Sequence, residues 1–524
     1  MDAKVLDAAR KAFPAGGAAV TLGAVMHDGS CHNEPLVRIP LAMLNRHGLV
    51  AGATGTGKTK TLQLLAEQLS AAGVPVFCAD IKGDLSGIAT PGAPNDRISQ
   101  RATDTGYAWQ AAGCPVEFLS LTGKRGAQIR ATVSSFGPLL LAKVLDLNET
   151  QTSVLTMVFK YCDDKGLALL DFPDLRAVLT WLSGDGAAEL KDYGGMSKQT
   201  VGVLLREMIE LEQQGAEDFF GEPEFDLVDD LMRVGTDGKG LVSVLELTDV
   251  QDKPALFSTF MLWMLARLYA ELPEVGDVDK PKLVFFFDEA HLLFRGASKA
   301  LLEQVDQVVR LIRSKGVGVY FVTQSPKDVP ADVLAQLGNR VQHALRAFTE
   351  DDQRALAAAA RTFPKTSFYD IEETLTTMGI GEAFVTVLTV SGAPTPPFWT
   401  RLVPPGSRMG PLTDPETAQA LGASEQVRRY AQDIDRESAR ELLQKRMDAA
   451  EAEASAPAPR MPRADPSVGY PTAPRAPGGG VGRPQKSTVE KIMGSPMARS
   501  VATQLARSIL GVLMGPPRRR RGLF

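Results

Sequence analysis

The sequence predicts an α/β fold: a doubly wound, mainly parallel sheet with a helical insertion and a partly disordered, basic C-terminal tail. Three observations carry that expectation. Short apolar runs of four to seven residues recur along the chain, bounded by polar turns, as buried parallel strands do. Segments of helical period lie between them, which is the βαβ recurrence of a wound sheet rather than of a sandwich. Beyond Glu453 the composition shifts to Ala, Pro, Gly and Arg, which suits a linker better than a core.

The elements follow in order. Val20–Met26 reads as a strand, and His27-Asp28-Gly29 supplies turn chemistry, so residues 1–45 form a short β element. Gly48–Ala51 is a short apolar strand followed by a glycine-rich loop. Thr59–Ser70 places Leu62, Leu65, Ala66 and Leu69 at helical spacing and is ended by Gly73, and Val74–Ala79 is a second buried strand. Residues 46–122 therefore open the core. Helical periods at Glu149–Cys162, Asp174–Leu182 and Ser197–Gln213 mark an insertion over 123–235. Strands return at Leu241–Leu247, Lys282–Phe287, Gly318–Val322, Arg340–Leu345 and Ala383–Leu388, with helices at Ala255–Ala270 and Ser298–Arg313, so residues 236–410 complete the core. A charged helix is expected over 411–453, a Pro/Ala/Gly-rich linker over 454–486, and a basic amphipathic helix within 487–524.

Composition excludes several classes. The chain has 524 residues, room for about three domains, and its apolar content of 44% is ample for a core, so wholesale disorder is excluded. The richest apolar stretch, Ala255–Ala270, contains Ser258, Thr259 and Arg267 and is shorter than the roughly 18–20 residues a membrane span needs. An integral membrane protein is not expected. Met1–Pro14 is charged and has no apolar leader core. The four cysteines are scattered without a CxxC pair, which fits a reducing cytoplasm and argues against zinc or disulfides. The net charge of −5 conceals an asymmetry: from Ala454 onward 12 Lys/Arg face two acids, so this tail carries +10 and the remainder −15. A basic tail can attract a protein partner or an anionic surface, or merely solubilise the chain.

The strongest chemical signal is Gly52-Ala53-Thr54-Gly55-Thr56-Gly57-Lys58-Thr59, a P-loop that follows a predicted strand and opens a predicted helix. Its glycines let the backbone approach phosphates, its N–H groups form an anion nest, and the helix dipole adds positive charge. Lys58 would reach the β- and γ-phosphates of ATP, and the Thr59 hydroxyl would ligate Mg²⁺. The second signal is Lys282–His291, KLVFFFDEAH, an apolar strand ending in two carboxylates. Asp288 would hold Mg²⁺ and Glu289 would act as general base toward water. This pair favours hydrolysis over transfer to a small acceptor. Asp80-Ile81-Lys82-Gly83 matches the DxxG of GTPases, yet no guanine-reading motif accompanies it.

Gln324, at the tip of the next core strand, is placed where a sensor would meet the γ-phosphate, since an amide both donates and accepts. Arg310, Arg313 and Lys315 precede that strand, and Arg340 and Arg346 bracket the following one; Arg313, Arg340 and Arg346 are the candidates for stabilising phosphoryl-transfer charge.

With these residues in hand, the chain resembles the HerA-like ATPases of the FtsK–HerA branch of P-loop proteins, and most the bacterial YjgR-like group. The matching segments are Leu49–Thr59, Ala79–Leu85, Val284–Leu292, Arg310–Pro326 and Leu337–Arg346. The resemblance implies a RecA-like P-loop NTPase core in a homo-oligomeric, usually hexameric ring, with double-stranded DNA in the central pore. It places Asp80 and Lys82 near the nucleotide or the pore. The chain departs from archaeal relatives in having only about 45 residues before the P-loop, where they carry a β-barrel. Two functions follow: an ATP-driven ring motor, helicase or translocase, acting on DNA, or an ATPase acting on or gated by a protein partner.

Overall fold

The computed structural model describes residues 2–294, 299–432, 434 and 436–455. The chain divides into two units, residues 1–439 and 440–524. The helix expected within 487–524 and nearly all of the linker lie outside the described residues.

One twelve-stranded sheet organises the first unit. Its strands are β1 (Ala19–His27), β2 (Ser30–Pro40), β3 (Gly48–Ala51), β4 (Val76–Asp80), β5 (Val116–Ser120), β6 (Ala127–Gln128), β7 (Val242–Glu246), β8 (Leu283–Phe287), β9 (Val317–Thr323), β10 (Asn339–His343), β11 (Glu382–Thr386) and β12 (Phe398–Leu402). Their order across the sheet is β2-β1-β12-β11-β10-β3-β9-β8-β4-β7-β5-β6. Pairing is parallel from β10 through β6 and antiparallel from β10 to β2. The mainly parallel α/β core is therefore observed.

Pleating explains the two wound faces. On β8, Val284 and Phe286 face one way, while Phe285 and Phe287 face the other. Phe286 meets Tyr320 at 5.2 Å and belongs to the cluster that buries Leu62, Leu65 and Leu69 of the helix α2 (Lys58–Ala71). Phe285 lies 5.2 Å from Phe77, which in turn meets Phe260 of the helix Pro254–Glu271 at 6.3 Å. Helices thus cover both faces, which is why these strands are apolar on both sides. Eleven of the 18 residues in Pro254–Glu271 are buried. Among the described residues no helix is long and apolar enough to cross a membrane.

Between β6 and β7 the chain is mainly helical, with Glu149–Lys165 and Phe172–Ser183 each begun by a capping box, at Asn148/Gln151 and Asp171/Asp174. The N-terminal residues begin with the helix α1 (Ala3–Ala12) and continue into the β1–β2 hairpin, which extends the same sheet through β12. Asp28 and Gly29, both at positive φ (49° and 72°), make its two-residue turn. The charged stretch after residue 411 is not one helix. It breaks into Asp414–Ala423, Glu425–Tyr430 and Ala439–Ser455, and at the first break Ser424 caps the second helix by accepting from the Val427 N–H.

Candidate functional site

The loop Gly52–Thr59 joins β3 to α2 at the carboxyl edge of the sheet. It hangs from the two flanking strands: Gly52 N–H donates to the Thr323 carbonyl (3.2 Å) and Ala53 N–H to the Ala344 carbonyl (2.9 Å). Gly52 is at φ +153°, and a Cβ there would lie 2.5 Å from Cβ of His343, so only glycine fits. Gly55 and Gly57 are also at positive φ. Lys58 opens α2, is buried, and folds back so that Nζ donates to the Ala53 carbonyl at 3.2 Å. Burial lowers its pKa, against the pull of the nearby Glu289. Thr54 and Gly55 are exposed and Thr59 is half-buried.

The floor of this loop is polar, and sequence reasoning missed it. His343, at the end of β10, is fully buried with Nε2 2.9 Å from the Thr61 hydroxyl, which also donates to the Gly57 carbonyl. Gly381, just before β11, donates its N–H to the Thr56 carbonyl at 2.9 Å. The available signal was positional: a histidine ending the strand next to the P-loop strand lies at the crest where open α/β sheets bind ligands. Replacing His343 with alanine removes this support. The expected outcome is a KM for ATP raised about tenfold, the loss of roughly one buried hydrogen bond, with kcat changed less; steady-state kinetics check it.

Burial also sets the protonation of two histidines. It lowers His343 from 6.5 to about 4, helped by the Lys58 charge. It lowers His47 likewise to about 4, and His47 Nδ1 accepts from the Val319 N–H. Between those values the unfolded chain binds protons that the fold excludes, so this contribution to stability is complete above pH 6.5. It is lost as the pH falls towards about 4. Urea unfolding should therefore show stability rising from pH 5 to 7, with a shallower slope in His47→Gln.

Asp288 and Glu289 follow β8, two strands from β3, and both are buried. Asp288 Oδ1 accepts from the Glu289 N–H at 3.0 Å, whereas Oδ2 is buried with no hydrogen-bond partner. Glu289 is at φ +48°, a left-handed conformation that a non-glycine residue holds only when its surroundings enforce it. Lys82 forms an ion pair with Glu289 Oε1 and lies 4.0 Å from Asp288 Oδ2, and His291 Nδ1 is 3.2 Å from Glu289 Oε2. The two neighbours are driven apart electrostatically. Burial lifts Asp288 to about 6, against the Lys82 charge. Burial also acts upward on Glu289, but Lys82 outweighs it and holds that carboxyl below its ordinary value.

Asp80 and Lys82 were expected beside the nucleotide or pore. The structure turns the Asp80 carboxylate onto its own loop, where it accepts from the N–H groups of Lys82 (3.1 Å), Gly83 (2.8 Å) and Leu85 (2.8 Å). The turn so fixed delivers Lys82 to Asp288 and Glu289. Carboxylate oxygens of Asp80, Asp84 and Asp288 lie within 4.8 Å of one another. Glu246, the register partner of Asp80 on β7, is buried with its carboxyl raised to about 7 by burial and then by Asp80; it too escaped the sequence reading.

Gln324 is exposed at the end of β9 and lines a cleft of about 700 Å³ with Thr54, His291, Arg346 and the exposed Phe348. Arg313 and Arg340 are not brought there. They stand before the start of β9 and at the start of β10, the opposite edge of the sheet, roughly 10 Å or more from the strand ends at ~3.3 Å per residue. Arg313 is half-buried near Arg46, which pairs with Asp277 at 3.1 Å. The Arg340 guanidinium donates to the carbonyls of Leu334, Leu337 and Thr362.

The donor set suits a nucleotide with Mg²⁺. A loop of left-handed glycines, a buried ammonium, a half-buried hydroxyl at Thr59 and an orphaned Asp288 oxygen converge at one sheet edge. Lys58 and the loop amides would hold phosphates, and Thr59 and Asp288 the metal.

The chain matches a family model described as "Helicase HerA-like C-terminal" over residues 27–521. No curated protein matches it. Among solved structures it is similar to the bacterial conjugative coupling protein TrwBdeltaN70 in its unbound monoclinic form. That likeness has 14% identity and a TM-score of 0.49, and covers 78% of this chain and 94% of that one. It is also similar to the plasmid coupling protein TrwB in complex with ADP and Mg²⁺, with 16% identity, a TM-score of 0.46, and coverage of 74% and 91%. VirB4 of Thermoanaerobacter pseudethanolicus shows 14% identity, a TM-score of 0.45, and coverage of 77% and 99%.

Proposed function

Since the chain belongs to the helicase HerA-like C-terminal family, and is thus a P-loop ATPase of the FtsK–HerA class, we propose that it is a ring-forming motor, hexameric as in that class, that translocates or remodels double-stranded DNA. One observation carries the hydrolytic part of the reading: the buried Lys58 and the buried pair Asp288/Glu289 stand at the same edge of one parallel sheet, two strands apart. A nucleotide held over the P-loop then has its terminal phosphate facing two carboxylates of different protonation tendency.

In this reading Lys58 and the amides of Gly52–Thr59 bind the phosphates. Thr59 and Asp288 hold Mg²⁺, which supplies Lewis-acid charge on phosphate oxygens when bound. Glu289 accepts the proton of the attacking water at a carboxylate oxygen, and Gln324 orients that water from the tip of β9. Arg346, in the same cleft, offsets the charge that develops during transfer. Arg340 is occupied by three carbonyls and acts structurally. Arg313, at the far edge, is left for the site of a neighbouring subunit.

A duplex carrying a short third strand tests translocation. The wild type should release that strand only with ATP, and Lys58→Ala should not release it. Hydrolysis without release would overturn translocation and favour a protein client.

A further inference from the structure

Glu289 has little freedom to accept a proton in the structure as it stands. Lys82 is paired with Oε1, and Oε2 is buried out of reach of solvent, without a hydrogen-bond partner and with His291 Nδ1 3.2 Å away. A general base needs a free oxygen within hydrogen-bond reach of the water it activates. The position of Lys82 is built rather than incidental. Asp80 ties down its turn through three amide hydrogen bonds, and Gln251 donates to the carbonyl of Ile81 from the β7 side. On the other side, the left-handed backbone of Glu289 sets the direction of its carboxylate. The contact is nonetheless open to exchange. The Lys82 side chain is 40% exposed, and an ammonium has three donors. An arriving anion can therefore compete with Glu289 from the solvent side.

We propose that Lys82 is a latch on Glu289: it holds the carboxylate away from the attacking water in the resting protein, and a backbone phosphate of bound DNA draws Lys82 off, so that engaging the client releases the base. This rests on the readings of Glu289 as general base and of DNA as client. Exchange keeps the Lys82 ammonium paired with an anion throughout, and its half-exposed side chain can be reached from solvent although the Glu289 carboxylate is buried. The ligand thus needs only a modest preference for the released state to shift the population. Lys82 is here a positioning residue, acting through Glu289.

The test compares the full chain with Lys82→Met and Lys82→Gln, measuring kcat and KM for ATP with and without double-stranded DNA. Without DNA, both variants should hydrolyse ATP about fivefold faster than the wild type, because the ion pair that restrains Oε1 is gone. KM should stay within about twofold, and the further stimulation by DNA should largely disappear. A merely structural lysine would give a lower kcat or a higher KM. A lower DNA-free kcat in both variants, or rates equal to the wild type, would overturn the latch. Absence of DNA stimulation in the wild type would instead count against DNA as the client, and the DNA-free rates of the variants would still decide whether Lys82 restrains Glu289.

Discussion

Replacing Glu289 with glutamine should lower ATP hydrolysis by about 10²–10⁴-fold, the contribution of a positioned general base, while nucleotide binding stays close to that of the wild type. Glutamine has the same shape and keeps an oxygen and an amide in the pocket, so the buried site need not repack. What it lacks is the basic oxygen. In the resting structure the Glu289 carboxyl lies below its ordinary value, with Lys82 outweighing burial, whereas burial pushes its neighbour Asp288 upward. Parallel measurement of phosphate release and of equilibrium binding of a fluorescent ATP analogue separates the two effects. Retention of more than about a tenth of the rate would remove Glu289 from the chemistry.

Lys58→Ala should also abolish turnover, by about 10²–10³-fold, the loss expected when a preorganised donor to developing charge is removed. Here binding should weaken as well. The Lys58 ammonium is buried at the first turn of α2 and is held over the loop by the Ala53 carbonyl. It is the one lysine of the P-loop, and alanine leaves the phosphates with amide dipoles alone. Alanine is a good helix former, so α2 and the unfolding temperature should be preserved. A Lys58→Ala protein that binds and hydrolyses ATP at wild-type levels would show that this loop is not the nucleotide site.

The parts of this site that were legible in the sequence are those whose chemistry is local. Gly52–Thr59 lies within one turn, and Asp288 and Glu289 end a strand whose apolar run announces it. The central strands were legible to within one or two residues because both faces are buried. The remainder depends on distant partners. The Lys82–Glu289 pair joins loops after β4 and β8, which become neighbours only because those strands pair in parallel. His343 supports a loop far away in the chain. The edge of the sheet was obscure for a different reason: β2 (SCHNEPLVRIP) is half-exposed and mixes polar residues with prolines. The helix α3 (Asp96–Thr105) is almost wholly polar and buries only Ile98 and Thr105, so no apolar stripe marks it. Arginine roles were the least legible. Arg340 lies near the start of the core strand β10, and the carbonyls around it claim all of its guanidinium nitrogens.

The most direct test of the motor reading is the ATP hydrolysis rate of the purified full chain with and without double-stranded DNA, at low and at raised salt. A DNA motor should be stimulated several-fold at low salt. The stimulation should fall steeply as salt rises, because phosphate contacts displace counterions. Hydrolysis that is the same with and without DNA at every salt concentration would contradict a DNA motor.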